Sequence, residues 1–427
     1  MNKQKEKVLI KNTVMMYLLS FAKLIIPLVS LPYLTRVLSV ECYGSVSFVK
    51  SLMSYLQILI DFGFLLSGTK DVINIIKKKE SPNKKIGDTL YAQLILSSVA
   101  VIILIVCSCT LKILDGFVVF AFFSLATNIL SIFLFEYVFK AYEEMDKIVV
   151  RYVIMKLISL VLTILFVKSD NQVMLMPLFD IVASLVVIFM VAKQMKKLGV
   201  KPEIDFKRIK QAWGSLKTSF VYFICNFATT VFTALNTLLI GIFMNKTDVA
   251  YWTVAMQLIN AIQALYSPII NSVFPTMVKE KSLKLIHKIM LIYMPLILLG
   301  CVLIIFIGNW GITLVFGAKY LTSSTILKFL IPVIIFSFPS MLYGWPCLGA
   351  INKNKTTTAS TIITACVQVV GLLLLAAINQ FTLIGLAIVR GISEMTLCLI
   401  RIFATYKNKH LFKKDDAKIE DKQVVAE

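Results

Sequence analysis

The chain has 427 residues, of which 58% are hydrophobic and only 16% charged, and its formal net charge is +21. With a mean hydropathy of +0.85, that balance excludes an ordinary soluble domain, in which about a quarter of residues are charged, and defines a multi-spanning membrane protein. The positive charge does not point to nucleic acid, because no long soluble segment exists to build a basic groove and the lysines fall in alternate loops instead.

Apolar runs read in chain order as spans over residues 12–34, 44–66, 89–111, 117–139, 149–168, 173–192, 218–244, 249–274, 289–308, 325–348, 357–378 and 382–405. Twelve helices of ~20 residues account for the length. The first run is too long for a signal-peptide core and lacks a small-residue cleavage site after it, so no cleavable signal is expected. Lys and Arg are concentrated in the N-terminal segment, the even-numbered connections and the tail. The opposite loops carry few, namely Arg36, Lys112, Lys168, Lys246 and Lys319. This bias predicts both termini inside.

The second span carries the most informative pattern. At about 100° per residue, Lys50, Ser54, Gln57 and Asp61 fall within an arc of ~60° on one helix face, and Ser47 extends it. Such a stripe has to look inward, because a charge in hydrocarbon costs at least ~2.5–3.5 kcal/mol. Lys23, deep in the first span beside Ser20, Pro27 and Ser30, is read as a cavity cation. Lys50 either lines that cavity or extends its stem to the outer interface. Asp61, near the inner rim, is a candidate for a gate, a loop cap or a lysine partner.

The basic loop 193–217 separates six spans from six, giving an N-terminal lobe of residues 1–192, a C-terminal lobe of residues 218–405 and a charged tail over 406–427. The halves share short likenesses: Ser20-Phe21-Ala22 with Asn226-Phe227-Ala228, and Tyr43-Gly44-Ser45-Val46 with Tyr251-Trp252-Thr253-Val254. Because six is even, the two units are related by an axis along the membrane normal, a parallel repeat. Asn226, Thr229, Thr233 and Asn236 line span seven, and Gln257, Asn260, Ser267 and Asn271 line span eight. Spans one, two, seven and eight therefore wall the expected central polar cavity. Arg390 and Glu394, four apart on the last span, have the spacing of an intrahelical pair. Glu136 and Lys156 are a further pairing across adjacent spans, and Asp180 has no evident partner. Prolines at 27, 268, 275, 295, 332, 339 and 346 are expected to bend spans.

Enzymatic readings lack support. The eight cysteines lie mostly within apolar runs, with neither a disulfide framework nor a zinc spacing. The two histidines sit in basic segments, no Walker sequence is present, and the outer loops offer no carboxylate pair for glycosyl transfer. No cofactor and no metal are expected.

Several segments resemble the polysaccharide flippases, exporters of O-antigen or capsule repeat units in the multidrug/oligosaccharidyl-lipid/polysaccharide superfamily. The resemblance is carried by Leu31-Pro32-Tyr33-Leu34-Thr35-Arg36-Val37-Leu38, Tyr43-Gly44, Asp61-Phe62-Gly63 and Thr69-Lys70-Asp71. Phe139-Lys140-Ala141-Tyr142-Glu143-Glu144-Met145 and Val315-Phe316-Gly317-Ala318-Lys319-Tyr320 add to it. Lys140, Ala141, Lys70 and Lys50 depart from the residues common in that family. What the resemblance implies is a bacterial inner-membrane protein that moves an undecaprenyl-pyrophosphate-linked oligosaccharide from the cytoplasmic to the periplasmic leaflet by alternating access. Its partners would be membrane lipids, the polysaccharide polymerase and the chain-length regulator, with no nucleic acid. Lys23, Arg36, Lys50, Ser54, Gln57, Asn226, Gln257 and Asn260 would then contact substrate, and Asp61, Arg390 and Glu394 would serve gating or coupling. A drug/cation antiporter of the same architecture is the alternative transporter, and it should prefer acids in its cavity. A membrane-embedded oligosaccharide polymerase is the alternative enzyme, and it needs a large functional outer loop.

Overall fold

The computed structural model describes residues 3–203 and 209–412. Part of the expected connector, 204–208, and most of the expected tail, 413–427, lie outside the described residues. Among the described residues the chain is helical, with no strand. Eleven helices are long and apolar enough to cross a bilayer, and twelve when Gln211–Val231 and Thr233–Phe243, bent by 59° at a break, count as one span. All twelve expected spans are present.

The first span is α1 (Lys3–Val37). The second is not one helix but two, α2 (Val40–Asp61) and α3 (Phe64–Lys77). Phe62 and Gly63 between them adopt left-handed φ values of 41° and 77°. Next come α4 (Asn83–Thr110), and then a second broken span, α5 (Val118–Ser131) and α6 (Glu136–Ala141). There the turn Ile132–Leu134 is followed by Phe135 at φ 47°. The first half closes with α7 (Met145–Phe166) and α8 (Leu175–Lys197).

The second half comprises α9 (Ile209–Phe243), α10 (Lys246–Glu280), α11 (Leu283–Phe316), the short α12 (Leu321–Phe329), α13 (Ile331–Leu342), α14 (Asn354–Ala377) and α15 (Leu383–Lys407). Span ten starts later than expected, at Ile331 rather than at 325, because Leu330 interrupts the helix after α12. Pro332 does not bend it. It lies in the first turn of α13, where its missing N–H has no intrahelical partner to lose. The bend comes instead after Leu342, where Tyr343–Gly349 winds as a π-helix and Gly344 leaves helical geometry with ψ −111°.

Two compact units divide the chain, Met1–Ala250 and Tyr251–Glu427. The break does not fall in the basic connector, because α9 packs into the first unit against α2, α3 and α4. Phe62 stacks on Phe223 with ring centres 4.5 Å apart, Ser51 Oγ donates to the Ala234 carbonyl, and the hydroxyls of Ser67 and Ser219 meet at 2.6 Å. Buried Phe64, Ala92, Leu96, Ala212 and Leu216 form the apolar cluster behind these contacts.

Candidate functional site

The predicted stripe on α2 exists, but its members do different things. Lys50 and Ser54 are exposed, while Gln57 and Asp61 are half-buried. Ser54 Oγ donates to the Lys50 carbonyl one turn back, at 3.0 Å. Gln57 Nε2 donates both to Asp61 Oδ1 at 2.9 Å and to Ser131 Oγ on α5 at 3.0 Å. An amide with two such partners is held in one orientation and ties the two broken spans together.

Three lysines gather in the first unit. Lys23 on α1 is exposed, with Nζ 5.4 Å from the centre of the Tyr152 ring on α7. One turn along that helix, Lys156 lies 3.8 Å from Asp180 on α8, with both side chains about one-third exposed. Lys50 is within electrostatic reach of both Asp180 and Lys156. The expected pairing of Lys156 with Glu136 is therefore wrong. Depth along the helix is the reason: Lys156 is ~16 Å of helical rise beyond Met145, whereas Glu136 opens the short α6 nearer that end. Asp180 also accepts a hydrogen bond from Ser159 at 2.7 Å. Tyr152, Lys156 and Asp180 thus join a site in which the sequence pattern identified only Lys23 and Lys50.

The segment Leu31–Leu38 turns out to organise the end of this unit. Tyr33 reaches α7, its hydroxyl donating to the carbonyls of Ile164 at 2.8 Å and Val167 at 2.7 Å at the helix C-terminus, where Lys168 Nζ also donates to Ile164 at 2.6 Å. Thr35 Oγ1 donates to the Leu31 carbonyl at 2.9 Å, and Arg36 stands exposed in the last turn of α1. Ser39 caps α2 through its side chain while its own N–H donates to Asp170 at 2.8 Å.

Asn226 is exposed on α9, Gln257 half-buried and Asn260 exposed on α10. The first belongs to one compact unit and the other two to the second.

Arg390 and Glu394 form the expected intrahelical pair at 3.2 Å, each only 4% exposed. Around them is a network that the spacing did not reveal. Ser340 on α13 donates to Glu394 at 3.1 Å, and Arg401 donates to the Ser340 carbonyl at 2.8 Å and to Ser360 and Thr361 on α14 at 3.1 Å each. Arg401 therefore clamps α13, α14 and α15 at the point where Gly344 breaks the helix. Only Gly344's lack of a side chain leaves room, since a Cβ there would sit 2.9 Å from Arg401 Nη1.

Apolar helices in this number, with lysines, carboxylates and amides set inside them, define a multi-pass membrane protein with a polar interior. The model of the polysaccharide biosynthesis protein family matches residues 9–281. The chain belongs to that family. A Shigella dysenteriae protein named as an O-antigen transporter is 27% identical over 369 residues, 84% of this chain and 90% of its own length. An Escherichia coli K12 protein of the same name is 21% identical, covering 94% and 97%. In fold, the chain is similar to the lipid II flippase MurJ in an inward closed conformation, with TM-score 0.69 and 13% identity over 92% of this chain and 87% of that one. An inward-facing multidrug resistance transporter of the MATE family gives 0.64, at 13% identity over 91% and 98%.

Proposed function

We propose that this protein is a flippase that carries an undecaprenyl-pyrophosphate-linked oligosaccharide repeat unit from the cytoplasmic to the periplasmic leaflet of a bacterial inner membrane. The observation that carries the reading, within a family named for polysaccharide biosynthesis, is a cluster richer in cations than in carboxylates: Lys50 and Lys156 share Asp180, and Lys23 lies over Tyr152, one turn from Lys156. A pyrophosphate entering a low-dielectric space needs compensating cations, and ammonium-to-phosphate hydrogen bonds are about twice as strong as neutral ones. A carrier of organic cations would gain from the opposite balance.

In this reading both termini are cytoplasmic, and the protein works by alternating access, opening to one side of the membrane at a time. Arg36, Ser54, Asn226, Gln257 and Asn260 offer hydrogen bonds to phosphate and sugar, while the polyprenyl chain stays in lipid. The polymerase and chain-length regulator receive the exported unit.

Deletion in the native strain is expected to accumulate a single lipid-linked repeat on the inner leaflet, read by analysis of lipid-linked intermediates. The Lys23→Ala/Lys50→Ala double variant should be inserted normally yet display at least tenfold less surface glycan. Unchanged glycan in the deletion strain, with altered drug sensitivity, would reject the flippase in favour of an antiporter.

A further inference from the structure

The ionisable groups inside the first unit fall into two sets. Asp61 and Glu136 line a cavity of about 140 Å³ between the breaks of spans two and four, and Glu136 also shares a small pocket with Arg151. The lysines form the other set. Asp180 is within reach of both Lys156 and Lys50, and Lys23 lies over Tyr152, one turn from Lys156. Three ammonium ions and one carboxylate leave an excess of two positive charges. Among the described residues Lys23 forms no ion pair, so the compensation is all at the other two lysines.

A carboxylate is an unexpected member of a set built to attract an anion. Its charge cancels part of the pull the lysines exert, and a carboxylate within a membrane span is expensive unless it has a task. Tying α7 to α8 is not reason enough, because an amide could accept the hydrogen bond from Ser159 without carrying a charge. The charge itself needs an explanation.

The contacts of Asp180 supply one. Both converge on Oδ1, with Ser159 Oγ at 2.7 Å and Lys156 Nζ at 3.8 Å. The first is an ordinary hydrogen bond and the second is too long to be one. The carboxylate is therefore held by a short side chain, while its ion pair, with both partners about one-third exposed, is of the weak kind. Lysine carries its ammonium on a flexible four-carbon stem, so Nζ can swing from Asp180 to another anion while Asp180 stays on Ser159. Phosphate makes short charge-assisted hydrogen bonds to ammonium, and those outcompete a carboxylate 3.8 Å away. Position along the helix gives the exchange an order. Tyr152, with Lys23 beside it, is ~10 Å of helical rise from Met145, and Lys156 is ~16 Å from it. An anion coming from that end meets the uncompensated lysine first.

We propose that Asp180 is a resident counter-ion, which neutralises Lys156 and Lys50 while the site is empty, yields them to the substrate pyrophosphate and reclaims them as it leaves. The idea rests on the flippase reading and makes Asp180 a positioning residue, acting through the lysines. Charge balances across the exchange, since a pyrophosphate esterified at both ends carries one negative charge on each phosphorus and meets two positive charges in excess. An ordinary phospholipid offers a single phosphodiester charge; it replaces one carboxylate with one phosphate and gains little. A built-in competitor weakens binding, and a translocation site must bind loosely enough to let go.

The test uses the full-length protein purified in neutral detergent and two synthetic probes, farnesyl-pyrophosphoryl-N-acetylglucosamine and farnesyl-phosphoryl-N-acetylglucosamine, which differ by one phosphate. Calorimetric titration reads affinity, and a chase of labelled probe reads release. Asp180→Asn should bind the pyrophosphate probe at least fivefold tighter and release it at least fivefold more slowly. It should also bind the single-phosphate probe, which the wild type does not retain, and display less surface glycan in cells while inserted normally. Asp180→Glu, which keeps the charge, should restore wild-type affinity and export. Thermal unfolding reports whether each variant folds; should Asp180→Asn fail to, Asp180→Ser takes its place with the same expectation. Unchanged or weaker binding by the folded neutral variant means that Asp180 only ties two helices, and overturns the proposal while leaving the flippase reading intact. An Asp180→Glu protein that behaves like Asp180→Asn overturns it as well. If neither the wild type nor any variant binds the pyrophosphate probe, the flippase reading falls and takes this one with it.

Discussion

Substituting Gly63 tests the packing on which both the cavity and the placement of α9 depend. Gly63 sits in the second-span break at φ 77°, and a Cβ built on it would lie 2.6 Å from Tyr222 Cβ, 3.0 Å from Phe223 N and 3.1 Å from the Ser219 carbonyl oxygen. Alanine there incurs two costs: ~1–2 kcal/mol for a side chain in left-handed geometry, and ~1–3 kcal/mol for overpacking against an unyielding backbone. Gly116 separates the two. Its φ is almost the same, 79°, but nothing lies within 4 Å of its would-be Cβ, so Gly116→Ala incurs only the first. The structure therefore predicts a loss of about 2–5 kcal/mol for Gly63→Ala and about 1–2 kcal/mol for Gly116→Ala. Thermal and denaturant unfolding of the two purified variants, followed by intrinsic fluorescence in one detergent, reads the difference. Equal destabilisation would mean that α9 does not press on the break, and the assignment of span seven to the first compact unit would fail with it.

Two further substitutions probe the ends of the units. Tyr33→Phe should cost about 0.5–1.5 kcal/mol, because the Val167 carbonyl loses its donor while the Ile164 carbonyl keeps Lys168 Nζ at 2.6 Å and the ring stays packed; a melt indistinguishable from wild type would show the Val167 carbonyl satisfied elsewhere. Arg401→Lys should destabilise by about 1.5–3 kcal/mol even though the charge is kept. A single ammonium cannot reach the Ser340 carbonyl, Ser360 and Thr361 as the planar guanidinium does, and unfolding of the purified variant checks this.

The spans were legible because hydropathy over some twenty residues is a local property, and the Arg390–Glu394 pair was legible because four-residue spacing is too. The breaks were not. Gly63 in Asp61-Phe62-Gly63 gives a hint of one, but Phe62 and Phe135 are poor candidates for positive φ, and nothing in the sequence around Phe135 marks a turn. Partner choice was equally hidden: Lys156 and Asp180 were each visible as intramembrane charges, yet which carboxylate Lys156 meets depends on depth and on the packing of α7 with α8.

The polar stripes carried two kinds of residue that the sequence reading weighed alike. Ser20, Ser54, Thr229 and Thr233 donate to carbonyls one turn back on their own helices, at 3.0, 3.0, 3.0 and 3.1 Å. A hydroxyl satisfied in this way is tolerated on any face of a membrane helix and says little about water. Longer side chains discriminate better. Lys23 reaches the ring of Tyr152 on another helix, and Gln57 bridges the two broken spans. Gln93, buried with its carbonyl oxygen unengaged, has no local solution at all. Function in this chain is thus better sought where a polar group reaches beyond its own turn than where polar residues merely recur at helical spacing, and by that criterion the weight of the first unit falls on its lysines and on the cavity between its broken helices.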